Sequence, residues 1–290
     1  MKVTIMPNFT REKAYETTLN LCASLKKLNI DFDFLADYMG NTEEKELMQN
    51  FSFTDIDGFL GETDLIIAVG GDGTMTRAAK IALTYDIPVL GVNAGSLAFL
   101  MGLEGDETEL VPKLLTGDYH TEERIVLQID VFNDNHEKVF SDYCINDAIF
   151  ARGGEIKLAS FDVYCDDKFV NRYASDGIII ATPTGSTAYN LAAGGPVVDP
   201  GVESIIFSPI CPHSLAARTI LFSRNSCLKV VNAGNKNVET LLSCDGGESI
   251  VFGENWGAAV RKAQKKAKFI RLKEDTFTDI LHKKMKYTDL

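Results

Sequence analysis

The sequence predicts an α/β N-terminal domain, built as a Rossmann-like parallel sheet with helices, and a β-rich C-terminal domain. The length of 290 residues exceeds the usual size of a single hydrophobic core. Short apolar runs alternate with helix-length segments over residues 1–122, whereas residues 123–268 read as successive strands. Residues 269–290 return to a strand and an amphipathic helix, so we expect this tail to pack back on the first domain.

In the first domain, strands are predicted at the short apolar runs and helices at the amphipathic segments between them. Strands that are apolar on both faces are typical of a parallel sheet covered by helices on both sides. The predicted strands are KVTIM, DFDFLA, DLIIAVGG and IPVLGVN, and the predicted helices span Glu12–Leu28, Thr42–Gln49, Thr74–Thr84 and Glu107–Leu115.

In the second domain, β-branched and aromatic residues form runs separated by turn residues, which is typical of strands. Examples are RIVLQIDVFN, SIIFSPI and TILFSRNSCLKVVNAG. One helix-like insertion, STAYNLAAGG, interrupts them, and Ser186 or Thr187 is expected to cap it.

The charge balance argues against a general nucleic-acid binder. The formal net charge is −12 and the sequence pI is about 4.9, whereas nucleic-acid affinity comes from Lys and Arg matched to phosphates. An anionic ligand must therefore be held locally, by backbone N–H groups, a few basic side chains or a divalent cation.

The cysteines and the apolar runs predict a cytoplasmic protein with no membrane partner. The six cysteines are widely spaced and form no C-x-x-C pair, which indicates reduced thiols rather than disulfides or zinc ligands. No apolar run is long enough to cross a bilayer, and the start MKVTIMPNF lacks the regions of a signal peptide.

The stretch GGDGT at 70–74 lies between an apolar strand and a helix, where open α/β sheets bind ligands. Glycines let the backbone approach a phosphate, and the helix start offers free N–H groups. The motif lacks the P-loop lysine, and its aspartate would repel phosphate unless it served another purpose. We predict that Asp72 activates the acceptor hydroxyl of a phosphoryl transfer. The plainer alternative is a helix start capped by Asp72 or Thr74.

A second loop, TPTGSTAY at 182–189, also runs from an apolar strand towards a helix. Its alternative reading is an ordinary turn before a capped helix. Two such loops, one per domain, favour a long ligand such as a dinucleotide, with the active site in the cleft between the domains. The residues expected to supply hydroxyl donors, room for a ring and a stacking surface are Thr182, Ser186, Thr187, Ala188 and Tyr189.

Two further segments give weaker signals. Asn146 and Asp147 follow a strand and could receive ribose hydroxyls or an adenine edge, although such a pair also suits a plain turn. His213 lies in a proline-flanked loop, where a structural or surface role is the alternative.

The GGDGT turn, the N-D pair and the pattern D-G-x-x-x-x-T-P-T-G-S-T-A-Y at 176–189 together resemble the NAD kinase family. That family transfers a phosphoryl from ATP to the adenosine-ribose 2′-hydroxyl of NAD. The resemblance implies that Asp72 is the catalytic base, that ATP and NAD are substrates, that a divalent ion such as Mg²⁺ takes part, and that a homodimer or homotetramer forms. Residue chemistry and resemblance together give a candidate nucleotide site of Gly71, Gly73, Thr74, Phe99, Asn146, Asp147, Asp176, Thr182, Ser186, Thr187, Ala188, Tyr189, His213 and Asp245.

The chain departs from the family pattern in two segments. In GVNAGSLAFLMG, Ala98 replaces a glycine and Met101-Gly102 stand where Thr-Asp is usual, while Phe99 keeps the aromatic expected near adenine. The DGGE at 245–248 approximates the family's D-G-Q.

Two other functions remain open at this stage. A lipid or diacylglycerol kinase shares the GGDGT turn, but it carries a P-x-G-T-x-N-D segment where this chain has VNAGSLAF, and no basic amphipathic helix is evident here. A non-catalytic nucleotide sensor is the second, although a protein that only binds phosphate would gain by losing the charge of Asp72.

Overall fold

A computed structural model of the chain divides into two compact units. Met1–Glu123 and Ala267–Leu290 form unit 1, and Arg124–Lys266 forms unit 2. The helix predicted over Thr42–Gln49 lies outside the part of the chain that the structure describes. The described residues are 1–35, 53–54, 60–95, 98–154, 156–234 and 238–285.

Unit 1 is built on a parallel sheet, as the sequence predicts. Its strand order is β5-β4-β1-β2-β3, with β6 beside β5, so the order of the chain reverses at the central pair β1 and β4. Every residue of β4 is buried, because helices cover both faces. The strands are β1 (Lys2–Pro7), β2 (Asp31–Leu35), β3 (Phe53–Thr54), β4 (Leu65–Gly70), β5 (Val89–Asn93) and β6 (Leu103–Glu104).

The spacing of apolar residues and the positions of helix-breaking residues account for three helices of unit 1. Helix α1 buries Leu21 and Leu25 on one face, at the spacing that places both on the same side. The helix predicted over Glu107–Leu115 is divided into a 3₁₀ turn and a short α-helix, because Pro112 enters with φ −54° and donates no backbone hydrogen bond. The helices are α1 (Ala14–Lys27), α2 (Asp72–Tyr85) and α3 (Lys113–Thr116).

Unit 2 is β-rich, and its strands form two antiparallel sheets over a shared apolar core. One sheet has the order β14-β13-β12-β9-β16-β17, and the other runs β11-β10-β15-β18, with β7 beside β18 and β8 beside β7. Phe150, Phe161, Phe207 and Phe252 are fully buried in this core. The strands are β7 (His120–Phe132), β8 (Lys138–Cys144), β9 (Asp147–Arg152), β10 (Ala159–Cys165), β11 (Lys168–Ser175), β12 (Gly177–Ala181), β13 (Ser204–Ile210), β14 (Ile220–Ser223), β15 (Cys227–Asn232), β16 (Thr240–Cys244), β17 (Ile250–Val251) and β18 (Gly257–Arg271).

The insertion after β12 is less helical than predicted. A 3₁₀ turn over Thr184–Thr187 is followed by a single-turn helix, α4 (Tyr189–Ala192). The prediction that Ser186 or Thr187 caps this helix is wrong: the N-cap is Ala188, and no side chain caps it. The insertion covers the second face of its sheet, where Val198 packs with Ile179 and Ile206.

Strand β18 carries the chain from unit 2 into unit 1, where Phe269 pairs in parallel with Val89 of β5. Helix α5 (Phe277–Met285) follows in unit 1. Among the described helices, none is both long and apolar enough to cross a membrane.

Candidate active site

The turn after β4 lies at the carboxyl end of the strand pair where the order of the sheet reverses, which is the usual ligand position in such sheets. Gly71 is extended and is itself the N-cap, so Asp72 is the first residue of α2 and neither Asp72 nor Thr74 caps it. Gly70 is required by close packing, because a Cβ there would lie 2.9 Å from the Cβ of Thr74. The Thr74 hydroxyl accepts a hydrogen bond of 3.1 Å from the amide of Asn8, at the end of β1.

The Asp72 carboxylate is held by the backbone of the segment that follows β5. Its Oδ2 accepts the Phe99 N–H and its Oδ1 accepts the Leu100 N–H, each at 2.8 Å. Both are charge-assisted hydrogen bonds, and the helix N-terminus also favours negative charge at this position. Asp72 is therefore fixed in one orientation, and Phe99 is brought beside it.

Two basic side chains that the sequence patterns did not identify approach this turn. A Cβ at Gly71 would lie 3.9 Å from the Arg11 guanidinium, so that cation borders the glycine turn. The Lys284 ammonium lies 5.9 Å from the centre of the Phe99 ring and interacts electrostatically with Asp72. Gly73 is exposed and a Cβ there would meet no atom within 4 Å, so the turn has room for a ligand.

In unit 2, Asp245 joins the predicted N-D pair to the D-G segment. Its Oδ2 accepts the Ile145 N–H at 2.8 Å, and its Oδ1 accepts the N–H groups of Asn146 at 2.7 Å and Asp147 at 3.1 Å. The Asp245 N–H in turn donates to the Asp147 carbonyl at 2.9 Å. The carboxylate of Asp245 thus fixes the backbone of the N-D pair.

The loop that begins at Thr182 packs directly on the same pair. The Thr182 hydroxyl donates to the Ile145 carbonyl at 2.6 Å and accepts the Gly185 N–H at 3.0 Å. A Cβ at Gly185 would lie 2.6 Å from the carbonyl carbon of Asn146, so only glycine permits this approach. Segments separated by some 40 to 100 positions along the chain therefore form one compact site.

Asp147 is the most perturbed acid of this site. It is 3% exposed, and burial, followed by repulsion from Asp245, raises its pKa to about 7. Because the folded-state pKa lies above the unfolded value, folding favours the protonated form, and this contribution to stability is lost as pH rises towards 7.

The Asp147→Asn substitution is expected to remove this pH dependence. Between pH 5 and pH 8 the wild-type free energy of unfolding should fall by about 2–3 kcal/mol more than that of the variant. Urea unfolding at the two pH values measures the difference, with Asp134→Asn, an exposed aspartate of the same unit, as the control. Equal pH slopes for wild type and Asp147→Asn would contradict the assignment.

The remaining residues of the second loop differ in their exposure. The Ser186 hydroxyl is fully buried and exchanges hydrogen bonds with the backbone of Val198, so it serves the fold rather than a ligand. Thr187 and Ala188 are partly exposed, and Tyr189 is 45% exposed. The ring of Tyr189 is therefore accessible for stacking.

Asp176 and His213 lie at the other end of β12 from Thr182. Six positions along a strand span about 20 Å, so the structure of unit 2 does not bring Asp176 and Thr182 together. Asp176 pairs with Arg152 at 2.7 Å, and the exposed His213 is placed near this end by its backbone bond to Ala174.

Both units match one family of proteins. Residues 3–119 match the ATP-NAD kinase N-terminal domain, and residues 145–272 match the ATP-NAD kinase C-terminal domain. The chain belongs to the NAD kinase family. The resemblance seen in the sequence is confirmed, and the lipid kinase alternative is set aside.

Several NAD kinases are similar over most of this chain. That of Carboxydothermus hydrogenoformans is 36% identical over 234 residues, covering 80% of this chain and 82% of the relative. That of Thermoanaerobacter sp. is 32% identical over 288 residues, covering 98% of each chain. The NAD kinase fold is also shared with two solved structures, each 22% identical in sequence. These are yeast NADH kinase complexed with NADH (TM-score 0.87, covering 100% of this chain and 89% of that one) and an NAD kinase from Archaeoglobus fulgidus in complex with ATP (TM-score 0.71, 99% of each).

Proposed function

We propose that this protein is an ATP-dependent NAD kinase, which transfers the terminal phosphoryl of ATP to the adenosine-ribose 2′-hydroxyl of NAD and releases NADP and ADP. The observation that carries the proposal is the Asp72 carboxylate, held by two backbone N–H groups at the start of α2. A carboxylate in a phosphate-binding turn can accept a proton, and the ribose hydroxyl must lose its proton when its oxygen bonds to phosphorus.

Asp72 is proposed to act as the general base. A carboxylate offers about four acceptor positions, so its bonds to Phe99 and Leu100 leave capacity for a substrate hydroxyl. As the ribose oxygen forms its bond to phosphorus, its proton passes to Asp72, and the bond from phosphorus to the ADP oxygen breaks. The N–H groups at the start of α2 and the Arg11 guanidinium are placed to stabilise charge on the transferring group.

In unit 2, the fixed backbone around Asn146 and the partly exposed Thr187–Tyr189 segment are proposed to bind the adenosine of NAD. Asp245 keeps this backbone in place, and Thr182 and Gly185 hold the loop against it. Asp147 in its ionised form would accept a hydrogen bond from a ribose hydroxyl.

Magnesium is the proposed divalent ion, and it supplies charge neutralisation of the triphosphate when bound. Over the described ranges, no group of three or more His, Cys, Asp or Glu side chains is arranged to hold a metal. This fits Mg²⁺, which is commonly held by substrate phosphates, waters and one or two carboxylates. The phosphates of ATP and water molecules would hold most of the ion's coordination sites, so that Asp72 keeps its proposed role as the base.

Removal of the divalent ion is expected to reduce turnover by about 10³-fold, because the ion stabilises the charge that develops in the transition state by several kcal/mol. The measurement is NADP formation in excess EDTA, followed by restoration with Mg²⁺, while NAD binding is followed separately. Undiminished turnover in EDTA would contradict the dependence.

The function itself is tested by incubating purified protein with NAD and Mg-ATP and measuring NADP. Formation of NADP with matching ADP supports the kinase. NAD binding without NADP from any phosphoryl donor would instead support the nucleotide sensor.

We also propose a cytoplasmic location and a homodimer or homotetramer. All six cysteines lie in the described ranges and none of them forms a disulfide, which suits a reducing compartment. The oligomer is proposed from membership of the NAD kinase family, and in unit 2 Leu215 (93% exposed) and Ile156 (90% exposed) are candidate contacts to test by substitution.

A further inference from the structure

Unit 1 contains a cavity of about 300 Å³ between the segment after β5 and helix α5. Its walls carry four basic side chains and three acidic ones. Two of the basic groups are already matched: Lys273 pairs with Glu107 at 2.6 Å, and Lys283 pairs with Asp275 at 3.1 Å. The other two, Arg271 and Lys284, retain donor capacity.

Arg271 is buried, with 7% of its surface exposed. Its Nε donates to Glu122 and its Nη1 donates to the Leu100 carbonyl, both at 2.9 Å. Its Nη2 is buried and has no acceptor among the residues that the structure describes. A buried donor without an acceptor is costly to a fold, which points to a ligand that supplies one.

Lys284 is a partly buried ammonium that faces an aromatic ring rather than a carboxylate. Its Nζ lies 5.9 Å from the centre of the Phe99 ring, and within the described ranges it forms no ion pair. Burial lowers its pKa, and the charges of Glu104 and Asp72 oppose that shift while Lys283 adds to it. An anion in the cavity would stabilise the charged form of Lys284.

Gly102 leaves the cavity wall without a side chain beside Arg271. A Cβ at this position would lie 3.8 Å from the Arg271 Nη1. Gly102 is also one of the positions where the sequence departs from the family pattern, which has aspartate there. The wall therefore lacks a carboxylate beside the guanidinium.

We propose that this cavity binds a small oxyanion, a carboxylate or a phosphate, through Arg271 Nη2 and Lys284 Nζ. Nη2 carries two N–H donors, and charge-assisted hydrogen bonds from these and from the ammonium suit the oxygens of either group. With Glu122, which pairs with Arg271, the four basic groups face four acidic ones, so directed hydrogen bonds rather than net charge would hold the oxyanion.

A ligand bound in the cavity would also affect the candidate active site. Arg271 holds the carbonyl of Leu100, and the N–H of the same residue holds Asp72. An oxyanion that fixes Arg271 therefore steadies the segment that orients the proposed base. This last step rests on the proposed function, whereas binding itself does not.

The test is calorimetric titration of the full-length protein with inorganic phosphate and, separately, with citrate, at constant ionic strength and without nucleotide. We expect at least one to bind, with a Kd of about 1 mM or tighter, and the tighter one identifies the class. Lys284→Met should weaken binding by about tenfold or more. The control Lys2→Met, which removes a partly buried lysine paired with Glu62 in the same unit, should leave it unchanged.

Substitution of Gly102 gives a second, matched comparison. Gly102→Asp places a carboxylate beside Arg271 and should abolish oxyanion binding, whereas Gly102→Ala adds the same Cβ crowding and should preserve it. No binding of either anion above a sodium chloride control, or binding that survives Lys284→Met, would overturn the proposal. Because no nucleotide is present, either result is independent of whether the protein phosphorylates NAD.

Discussion

Asp72→Asn is expected to lower kcat for NADP formation by about 10²- to 10⁴-fold, the range for loss of a positioned general base. The amide accepts no proton at neutral pH, so the ribose hydroxyl would have to lose its proton to water. NAD affinity should change little, because the contacts proposed for adenosine lie in unit 2. The measurement is NADP formation beside a Kd for NAD.

The same substitution also perturbs the loop that Asp72 holds. The asparagine NH₂ group would face one of the N–H groups of Phe99 and Leu100, which costs about 1–3 kcal/mol when a donor is left unpaired. Asp86→Asn is the matched control, because it removes a charge from the other end of α2 at a left-handed position that asparagine tolerates. Retained turnover in Asp72→Asn would exclude Asp72 as the base.

Gly185→Ala is expected to destabilise unit 2 by about 3 kcal/mol and to weaken NAD binding severely. The added Cβ would lie 2.6 Å from the carbonyl carbon of Asn146, which is a backbone atom and cannot rotate away as a flexible side chain could. The loop must move away, which breaks the bonds that Thr182 makes to Ile145 and Gly185. Urea unfolding and a calorimetric Kd for NAD measure the two effects.

Gly257→Ala provides the control for Gly185→Ala. Gly257 also lies in unit 2, and a Cβ there would make only ordinary contacts, the nearest at 3.5 Å to Lys229. It should leave both stability and NAD binding close to wild type. If Gly185→Ala bound NAD as tightly as Gly257→Ala, the close approach of the loop to Asn146 would not matter for the ligand.

The parallel sheet and the GGDGT turn could be predicted because their signals are local. Strand β4 is a continuous apolar run, and the glycines and Asp72 follow it directly, so the strand, the turn and the helix can all be read within about 20 residues. The prediction is less accurate where a helix-breaking residue interrupts the apolar pattern. At Pro112, the one expected helix is divided into a 3₁₀ turn and a short α-helix.

The partners of the site residues could not be predicted, because they come from distant parts of the chain. Nothing near Asp72 in sequence indicates that Leu100 and Phe99 hold it, or that Arg271 holds Leu100. Asp245 could be named from its motif, but its role in fixing the N-D pair depends on a register of strands set by the whole fold. At Ser186 the motif was misleading. The motif is typical of a ligand contact, but the buried hydroxyl of Ser186 bonds to the backbone of Val198.

Through the hydrogen bond from Arg271 to Leu100, the orientation of the proposed base depends on a residue that is synthesised late. Residues 72 and 100 leave the ribosome early, but the guanidinium that secures the carbonyl of Leu100 is made 171 positions later. Contacts of such long sequence separation form late in folding. A nascent chain that has completed its parallel sheet therefore still lacks the last support of its Asp72 segment, and full activity should appear only after β18 has docked.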